Sequence, residues 1–335
     1  RGDDGSIKVF GSSVTKSHSI DGARYQPYGD YGILENDEIK GLSVVPNESP
    51  DFYDRISRDF GLERGDSSGL SVIIPFPKTT YTREEIIESV IRNYFLPICQ
   101  GLLEVEVCDN GDCLTIDRET ISEYTGRLNW LDEIPGAMAR TTRGCMLGLV
   151  ELANWWSEEP TPANIELTSS GKPSWYKDLI PEEDYDTLST NLEKGYPIAI
   201  RVKMPISKKK ENGSKERYAE KSEFFVLIKK DEASGKSDTV WIRRYLSVPK
   251  KEIKTKKSGY VAIVYSKEGA LEELLRQSEE VAHTHHKPTR VSKNYMHARD
   301  VISFYRKSAA LLIEYLTHKP STFDDHWLDE WFPPE

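Results

Sequence analysis

Lysine and arginine are concentrated in one part of the sequence. Residues 201–260 contain 18 Lys and Arg against 8 Asp and Glu, a local balance of +10, which leaves −20 on the other 275 residues of a chain of net charge −10. A basic surface of this kind attracts polyanions, because summed positive charge concentrates phosphate groups nearby. The candidate nucleic-acid contacts are Lys208, Lys209, Lys210, Arg243, Arg244, Lys250, Lys251 and Lys254. The alternative is that these cations are solvated loop charges, since few aromatic residues lie between them.

Histidines cluster at His283, His285 and His286. On a strand, His283 and His285 would share a face, and on a helix Glu279 would lie one turn before His283. Zinc needs three or four converging ligands, and only His297 could approach from elsewhere. We therefore predict no metal site.

The sequence lacks the patterns that are typical of two classes of hydrolytic enzyme. Metal-dependent nucleases with an Asp…Glu-x-Lys pattern need Glu and Lys two residues apart, and neither E-F-F-V-L-I-K-K nor L-E-V-E-V provides this spacing. The sequence also has no nucleophile-elbow or cysteine-protease signature.

The four cysteines, Cys99, Cys108, Cys113 and Cys145, form no C-x-x-C pair. Cys108 and Cys113 flank D-N-G-D, whose central Asn-Gly is typical of a tight hairpin turn. The two thiols could face each other across that hairpin, but we favour a reduced cytosolic pair. No run approaches the roughly 18 apolar residues that span a membrane, and no signal peptide opens the sequence, so we predict a cytoplasmic protein without a membrane partner.

The segment from Gly69 to Val107 predicts a strand, a helix and a second strand. The run S-V-I-I-P-F-P is rich in β-branched and aromatic residues, and its prolines end the strand. Thr82, with Glu85 three residues later, makes a capping box that opens a helix. The residues expected on one face of this helix are Ile86, Ile87, Val90, Ile91 and Tyr94. In L-E-V-E-V the apolar residues alternate with glutamates, as in a half-buried strand.

This succession resembles the end of a GHKL-type ATPase domain and its continuation into the second, transducer domain. The superfamily includes gyrase, MutL, the large heat-shock chaperone ATPase and the MORC proteins, in which a Gly-Thr pair opens the last strand of the nucleotide-binding sheet. The resemblance is directly readable over roughly Gly69–Thr120. It implies a nucleotide-binding role for Gly69, Leu70 and Ser71, with ATP and Mg2+ as cofactors. It also implies that ATP drives the closure of a dimer.

The resemblance further implies that one transducer lysine contacts the γ-phosphate of ATP. A cation there stabilises the charge that develops as the phosphoryl group departs. Lys203, on the strand I-A-I-R-V-K-M-P, or Lys208, in the following loop, suits that reach, and Arg243 and Arg244 come next. For each of them the alternative is an exposed strand or loop cation.

The sequence departs from the family at the nucleotide site. Leu70 stands where the family has a threonine that helps to hold the adenine end. The family's Glu…Asn pair, its Asp-x-Gly-x-Gly and its glycine-rich lid are not visible in the sequence. The sequence also opens at Arg1 rather than Met. We therefore expect the distal part of a longer protein or one product of processing, which is an ATPase only when joined to the nucleotide-binding half.

The predicted fold is α/β (α+β), with mixed or antiparallel sheets layered with helices and a helical C-terminal region. Residues 1–80 would be the distal part of the nucleotide-binding domain, 81–265 a transducer-like domain, and 266–335 the helical region. Three consecutive strands are expected to form an antiparallel meander: Ile198–Pro205, Glu223–Lys229 and Thr239–Leu246. Helices are expected at Asp51–Phe60, Cys145–Trp156, Gly269–Val281 and Asn294–Thr317.

Two functions from different classes follow. The first is the distal portion of an ATP-dependent GHKL-type conformational switch, which the resemblance associates with bacterial phage defence or DNA-linked processes, acting by self-association or with a partner protein. The alternative is a non-catalytic module that uses the basic 201–260 surface to bind nucleic acid or an acidic partner.

Overall fold

The chain divides into two compact units, residues 1–80 and residues 81–335. The computed structural model describes residues 6–14, 18–25, 28–37, 41–62, 71–73, 81–109, 111–128, 143–169, 171–209, 217–232, 235, 237–248, 257–279 and 286–317. Helices and mixed sheets occur together, and a long helix lies near the C-terminus, so the predicted α+β class is confirmed. None of the described helices has the length and apolar content to cross a membrane.

The first unit is built from short paired strands and one helix. Its elements are β1 (Gly11–Val14), β2 (His18–Ile20), β3 (Ala23–Tyr25), β4 (Tyr28–Tyr31), β5 (Ile33–Asp37), β6 (Gly41–Val45) and α1 (Pro50–Asp59). The strands form three antiparallel pairs, β1 with β4, β2 with β3 and β5 with β6. Proline in the first turn of α1 suits a helix start, where the missing N–H costs nothing. The predicted helix at this position is confirmed.

Among the residues of the first unit whose burial the structure describes, none is buried. Large apolar side chains are exposed instead, including Leu34 at 65% and Val72 at 72% of their surface. Of the strand predicted after Gly69, only residues 71–73 are described, and none of the three is assigned to a strand. Gly69 and Leu70 lie outside the described residues.

The second unit is organised on a six-stranded mixed sheet. Its strands are β9 (Ala163–Glu166), β10 (Ile198–Lys209), β11 (Arg217–Lys230), β12 (Asp238–Arg243), β13 (Leu246–Val248) and β14 (Tyr260–Ser266). They lie in the order β13-β12-β14-β11-β10-β9, with β9 parallel to β10, β12 parallel to β14, and the other pairs antiparallel. The predicted meander is therefore wrong at its third strand, because β14 lies between β11 and β12. Every residue of β14 is buried, so this apolar strand takes the interior position.

Helices cover both faces of this sheet. The other elements of the unit are α2 (Arg83–Cys99), β7 (Val105–Asp109), β8 (Asp112–Ile116), α3 (Ile121–Arg127), α4 (Arg143–Trp156), α5 (Glu182–Glu193), α6 (Ala270–Ser278), α7 (Pro288–Val291) and α8 (Ala298–Thr317), with a short 3-10 helix at Lys177–Leu179. On β10, Ile200 and Val202 join the core formed with α5, α6 and α8, whereas Ala199 joins the core formed with α2 and α4. The period-two alternation of a strand thus supplies two cores from one sheet.

Helix α2 begins as the sequence predicts but buries a narrower face. The Thr82 hydroxyl accepts from the backbone N–H of Glu85, whose carboxylate accepts from the N–H of Thr82, so the capping box is confirmed. Ile87 and Ile91 are buried, but Ile86 and Tyr94 are about 40% exposed, so the broad predicted face is wrong at its edge. The apolar face of α2 is wider than the surface that α4 and β7 cover, so the residues at its edge stay exposed.

The helices predicted near the C-terminus are present. Helix α8 begins four residues later than predicted, at Ala298. Its apolar stripe is buried and consists of Val301, Phe304, Ala309, Leu312 and Leu316. Trp175 anchors it, because the indole N–H donates to the Phe304 carbonyl at 2.8 Å and the two rings stack 4.4 Å apart. The segment from residue 318 onward lies outside the described residues.

A charged cavity at the edge of the central sheet

A cavity of about 770 Å³ opens beside the end of β9 and the middle of β10 and β11, next to the start of α6. Residues 166–168, 203–205, 221–223 and 268–269 line it. The lining carries two lysines, Lys203 and Lys221, and three glutamates. Of the two lysines named from the resemblance as γ-phosphate contacts, Lys203 lies in this cavity.

Strand register places Lys203 between two glutamates. It is the parallel register partner of Glu166 on β9 and the antiparallel partner of Glu223 on β11. Directly opposed residues have side chains on the same sheet face, about 5 Å apart at their β-carbons. The three strands therefore present a carboxylate–ammonium–carboxylate row across the floor of the cavity.

Glu223 is held by another cation. The Arg201 guanidinium donates from Nε and Nη2 to the two carboxylate oxygens of Glu223, both at 2.9 Å. Arg201 also lies over the Phe225 ring, 5.8 Å from its centre, and Phe225 packs on Trp156 at 5.1 Å. Because this fork already satisfies Glu223, the Lys203 ammonium makes no ion pair or hydrogen bond within the part of the chain that the structure describes.

The N-terminal end of α6 also meets the cavity. Gly269 caps this helix at φ 90°, a left-handed conformation in which any side chain would be strained, and an added Cβ would lie 3.1 Å from Ser222 Oγ. The Leu271 N–H donates to Ser222 Oγ at 3.0 Å, which fixes the helix end on β11. The helix dipole gives this end a partial positive charge. The cavity lining thus combines this helix end with two lysines and three glutamates.

Lys208, the second lysine named from the resemblance, lies on β10 rather than in the predicted loop, because the strand pairs with β11 as far as Lys209, and it is engaged elsewhere. Its ammonium lies 2.8 Å from Glu220 on β11 and 2.7 Å from Glu273 on α6, and 6.0 Å from the centre of the Tyr295 ring. Burial would lower the pKa of Lys208, but the hydrogen bonds to Glu220 and Glu273 outweigh it and raise that pKa above its ordinary value. Two carboxylates thus neutralise Lys208, which ties the end of β10 to α6.

Arg243, at the end of β12, is similarly committed. Its guanidinium binds Glu279 through Nε at 2.6 Å and Nη2 at 3.0 Å, and Glu272 through Nη1 at 2.9 Å. Only 9% of the Arg243 side chain and 1% of the Glu279 side chain are exposed. This cluster therefore joins the sheet to α6 and its C-terminal end.

The remaining predicted cations are spread over different positions. Lys209 donates to the Ser292 carbonyl at 2.8 Å, and Arg244 is exposed in the turn between β12 and β13. Lys210, Lys250, Lys251 and Lys254 lie outside the described residues. Ser71, predicted at the nucleotide site, is exposed and lies outside any strand.

The sequence analysis missed Arg201, Glu166, Glu223 and Glu268 as parts of a site. The alternation in I-R-V-K-M shows that Arg201 and Lys203 share a strand face, and this pattern could have indicated a polar surface. The partners on β9 and β11 could not be found in this way, because they depend on the pairing register.

The β7–β8 hairpin corrects the prediction of reduced cysteines. Cys108 and Cys113 are register partners, one pair before the Asp109–Asp112 pair that ends the ladder, and they form a disulfide with the Cα atoms 4.1 Å apart. Cys99 and Cys145 are free and buried. Burial raises the pKa of the Cys99 thiol to about 12.

Of the clustered histidines, His286 alone is described. Its Nδ1 lies 2.9 Å from the Ser278 hydroxyl, beside the Arg243–Glu279 cluster. Burial lowers the pKa of His286 to about 4. His283 and His285 lie outside the described residues.

Comparison with protein-family models, curated proteins and solved structures finds no match to this chain.

Proposed function

We propose that this chain is the distal portion of a GHKL-type ATPase, in which Lys203 contacts the terminal phosphate of ATP. The observation that carries this proposal is the position of Lys203, whose ammonium lines an open cavity and makes no ion pair among the described residues. The segment around Gly69–Thr120 carries the resemblance to GHKL ATPases, and the proposal assigns the phosphate contact of that family to one side chain. It makes the second unit the transducer that senses nucleotide.

Charge favours Lys203 over Lys208 for this role. A lysine that stabilises the charge of a departing phosphoryl group must have its ammonium free to approach that group. Lys208 would first have to leave two carboxylates at 2.7 and 2.8 Å. Lys203 has no such bonds to break within the described part of the chain.

The exposed apolar side chains of the first unit support a partial nucleotide-binding domain. Two-stranded pairs are marginal on their own and need a packing partner to be stable. Leu34 and Val72, exposed by 65% and 72%, present the kind of apolar surface that a further layer of sheet or helix covers. We propose that the nucleotide-binding half supplies this layer.

The cavity suits a phosphate contact but not magnesium. Within the described residues, the only group of three possible ligand atoms lies at Glu106, Cys108 and Cys113, away from this lining. Glu166, Glu223 and Glu268 therefore do not converge on one ion. In this proposal the Mg2+ ligands and the adenine contacts belong to the nucleotide-binding half, and the second unit contributes the Lys203 ammonium.

Calorimetric titration with tripolyphosphate and with a non-hydrolysable ATP analogue tests this proposal. A charged hydrogen bond contributes about 1.5 to 3 kcal/mol, so we expect Lys203→Ala to weaken binding by about 10- to 100-fold. Lys221→Ala is the matched control, because Lys221 lines the same cavity but is exposed on β11. No binding by the unmodified chain, or equal binding by Lys203→Ala, would contradict the role of Lys203.

The alternative, a module that binds nucleic acid through residues 201–260, is supported less well. Lys208 and Arg243 are each neutralised by two glutamates, and their charges are therefore directed inward rather than toward a phosphate backbone. Among the described cations of the predicted set, Arg244 is exposed, and Lys209 has the neutral Ser292 carbonyl as its partner.

A further inference from the structure

The outward face of the β7–β8 hairpin brings three metal-ligating side chains together. Cys108 and Cys113 are opposite each other, and Glu106 lies two residues before Cys108 on the same face of β7. The two sulfur atoms and a Glu106 carboxylate oxygen all lie within 4.8 Å of one another, and all three residues are exposed. The proposed phosphate cavity uses none of these residues.

The opposite face of the hairpin holds this arrangement in place. Val107 and Ile116 are buried against α2 and its neighbours, and Arg83 on α2 pairs with Asp112 beside the turn. The Thr120 hydroxyl donates to the Thr115 carbonyl at 3.0 Å, which fixes the end of β8. The ligand-bearing face is therefore positioned before any ion binds.

These ligands suit a thiophilic divalent cation. Zinc is bound by cysteine thiolates at about 2.3 Å, which places two thiolates of one tetrahedron about 3.8 Å apart. Directly opposed residues on a hairpin can supply that separation once the disulfide is reduced. A carboxylate oxygen is an ordinary third zinc ligand, and water completes an open site.

We propose that the reduced hairpin is a zinc-binding site, formed by Cys108, Cys113 and Glu106, which the Cys108–Cys113 disulfide closes. Two thiols of a small reductant convert the disulfide to two cysteine thiols and become a disulfide themselves. Zinc then replaces the protons of Cys108 and Cys113, and two protons are released. The hairpin thus holds either a disulfide or a metal ion, and the thiol redox state selects which.

The other two cysteines do not compete for the metal. Cys99 and Cys145 are buried in the core between α2 and α4. A thiol must lose its proton to bind zinc, and burial makes that loss unfavourable. The whole chain can therefore be tested without removing them.

Cobalt titration of the reduced full chain tests the site, because Co2+ substitutes for zinc and shows thiolate-to-metal charge-transfer absorption. We expect one equivalent of Co2+ to give this absorption, Zn2+ to displace it, and the oxidised chain to give none. Cys108→Ser and Cys113→Ser should each abolish the band. Because even groups that only orient metal ligands are worth about 10- to 100-fold, Glu106→Gln should weaken binding by at least about tenfold.

Two controls separate a metal site from a folding defect. Glu104→Gln alters an exposed glutamate two residues before Glu106, just ahead of β7, and should leave the affinity within about twofold of the unmodified chain. The oxidised chain has the same sequence as the reduced one and differs from it by the Cys108–Cys113 disulfide. No charge-transfer band in the reduced chain, a band that survives both serine substitutions, or equal affinity for Glu106→Gln and Glu104→Gln would overturn the proposal.

Discussion

Replacing Arg243 with methionine tests whether this cation is part of the protein interior or of a binding surface. Methionine keeps much of the side-chain volume and removes the charge. Glu279 would then be left with 1% of its side chain exposed and without the two hydrogen bonds from Arg243 at 2.6 and 3.0 Å. Glu272, 12% exposed, would lose its bond from Arg243 as well.

The expected loss of stability follows from that burial. Removing one partner of a buried ion pair costs about 3 to 5 kcal/mol, because the other charge stays away from water without compensation. For a unit of this size, 1 kcal/mol shifts Tm by about 2 to 4 °C, so we expect a decrease of about 6 to 20 °C. The double variant Arg243→Met with Glu279→Gln should lose less than Arg243→Met alone, because it removes the uncompensated charge.

Thermal unfolding followed by near-ultraviolet circular dichroism measures these shifts. Arg244→Met is the matched control, since Arg244 is the next residue, is exposed, and keeps the same positive φ of 59° with either side chain. Its effect should stay within about 0.5 kcal/mol. If Arg243→Met were no more destabilised than Arg244→Met, Arg243 would be a solvated cation and the nucleic-acid interpretation of this residue would regain support.

His286 and the cap of α2 give two further predictions. Burial holds the pKa of His286 at about 4 in the folded chain, against 6.5 for a free imidazole. Between these two pH values the unfolded chain binds more protons than the folded chain. The contribution of His286 to stability is therefore retained above about pH 6.5 and lost as the pH falls toward 4. This difference in pKa corresponds to at most about 3 kcal/mol of stability. Denaturant unfolding at pH 7 and pH 4.5 should show a smaller pH dependence of stability for His286→Gln than for the unmodified chain. An unchanged pH dependence would assign the effect to other groups. Thr82→Ala removes the hydroxyl that accepts from the Glu85 N–H and should lower the free energy of unfolding in urea by about 1 kcal/mol. The control Glu84→Ala, one residue beyond Arg83 in the same turn, should lower it less. Equal losses would mean that the cap contributes nothing specific.

Local features of this chain were determined by the sequence alone. The capping box at Thr82 and Glu85 and the buried stripe of α8 depend on residues three or four positions apart, which any helix of this sequence brings together. The hairpin turn depends on Gly111, which has a positive φ of 85°. These features were predictable because their partners are neighbours along the chain.

The tertiary structure alone decided the partners of the charged side chains. Lys208 is neutralised by Glu273, 65 residues away, and Arg243 by Glu279, 36 residues away. Such pairs depend on where α6 lies over the sheet. From sequence, Lys203 and Lys208 were equivalent candidates for a phosphate contact, and their surroundings distinguish them.

Sheet order and register account for the other differences. The position of β14 between β11 and β12 overturned the predicted meander, and strand pairing placed Lys203 between Glu166 and Glu223. Register also placed Cys108 opposite Cys113, where a shift of one residue would have turned one thiol to the buried face. Composition and local spacing determine which segments become strands, but the choice among pairings is made by long-range packing, which a single sequence does not display.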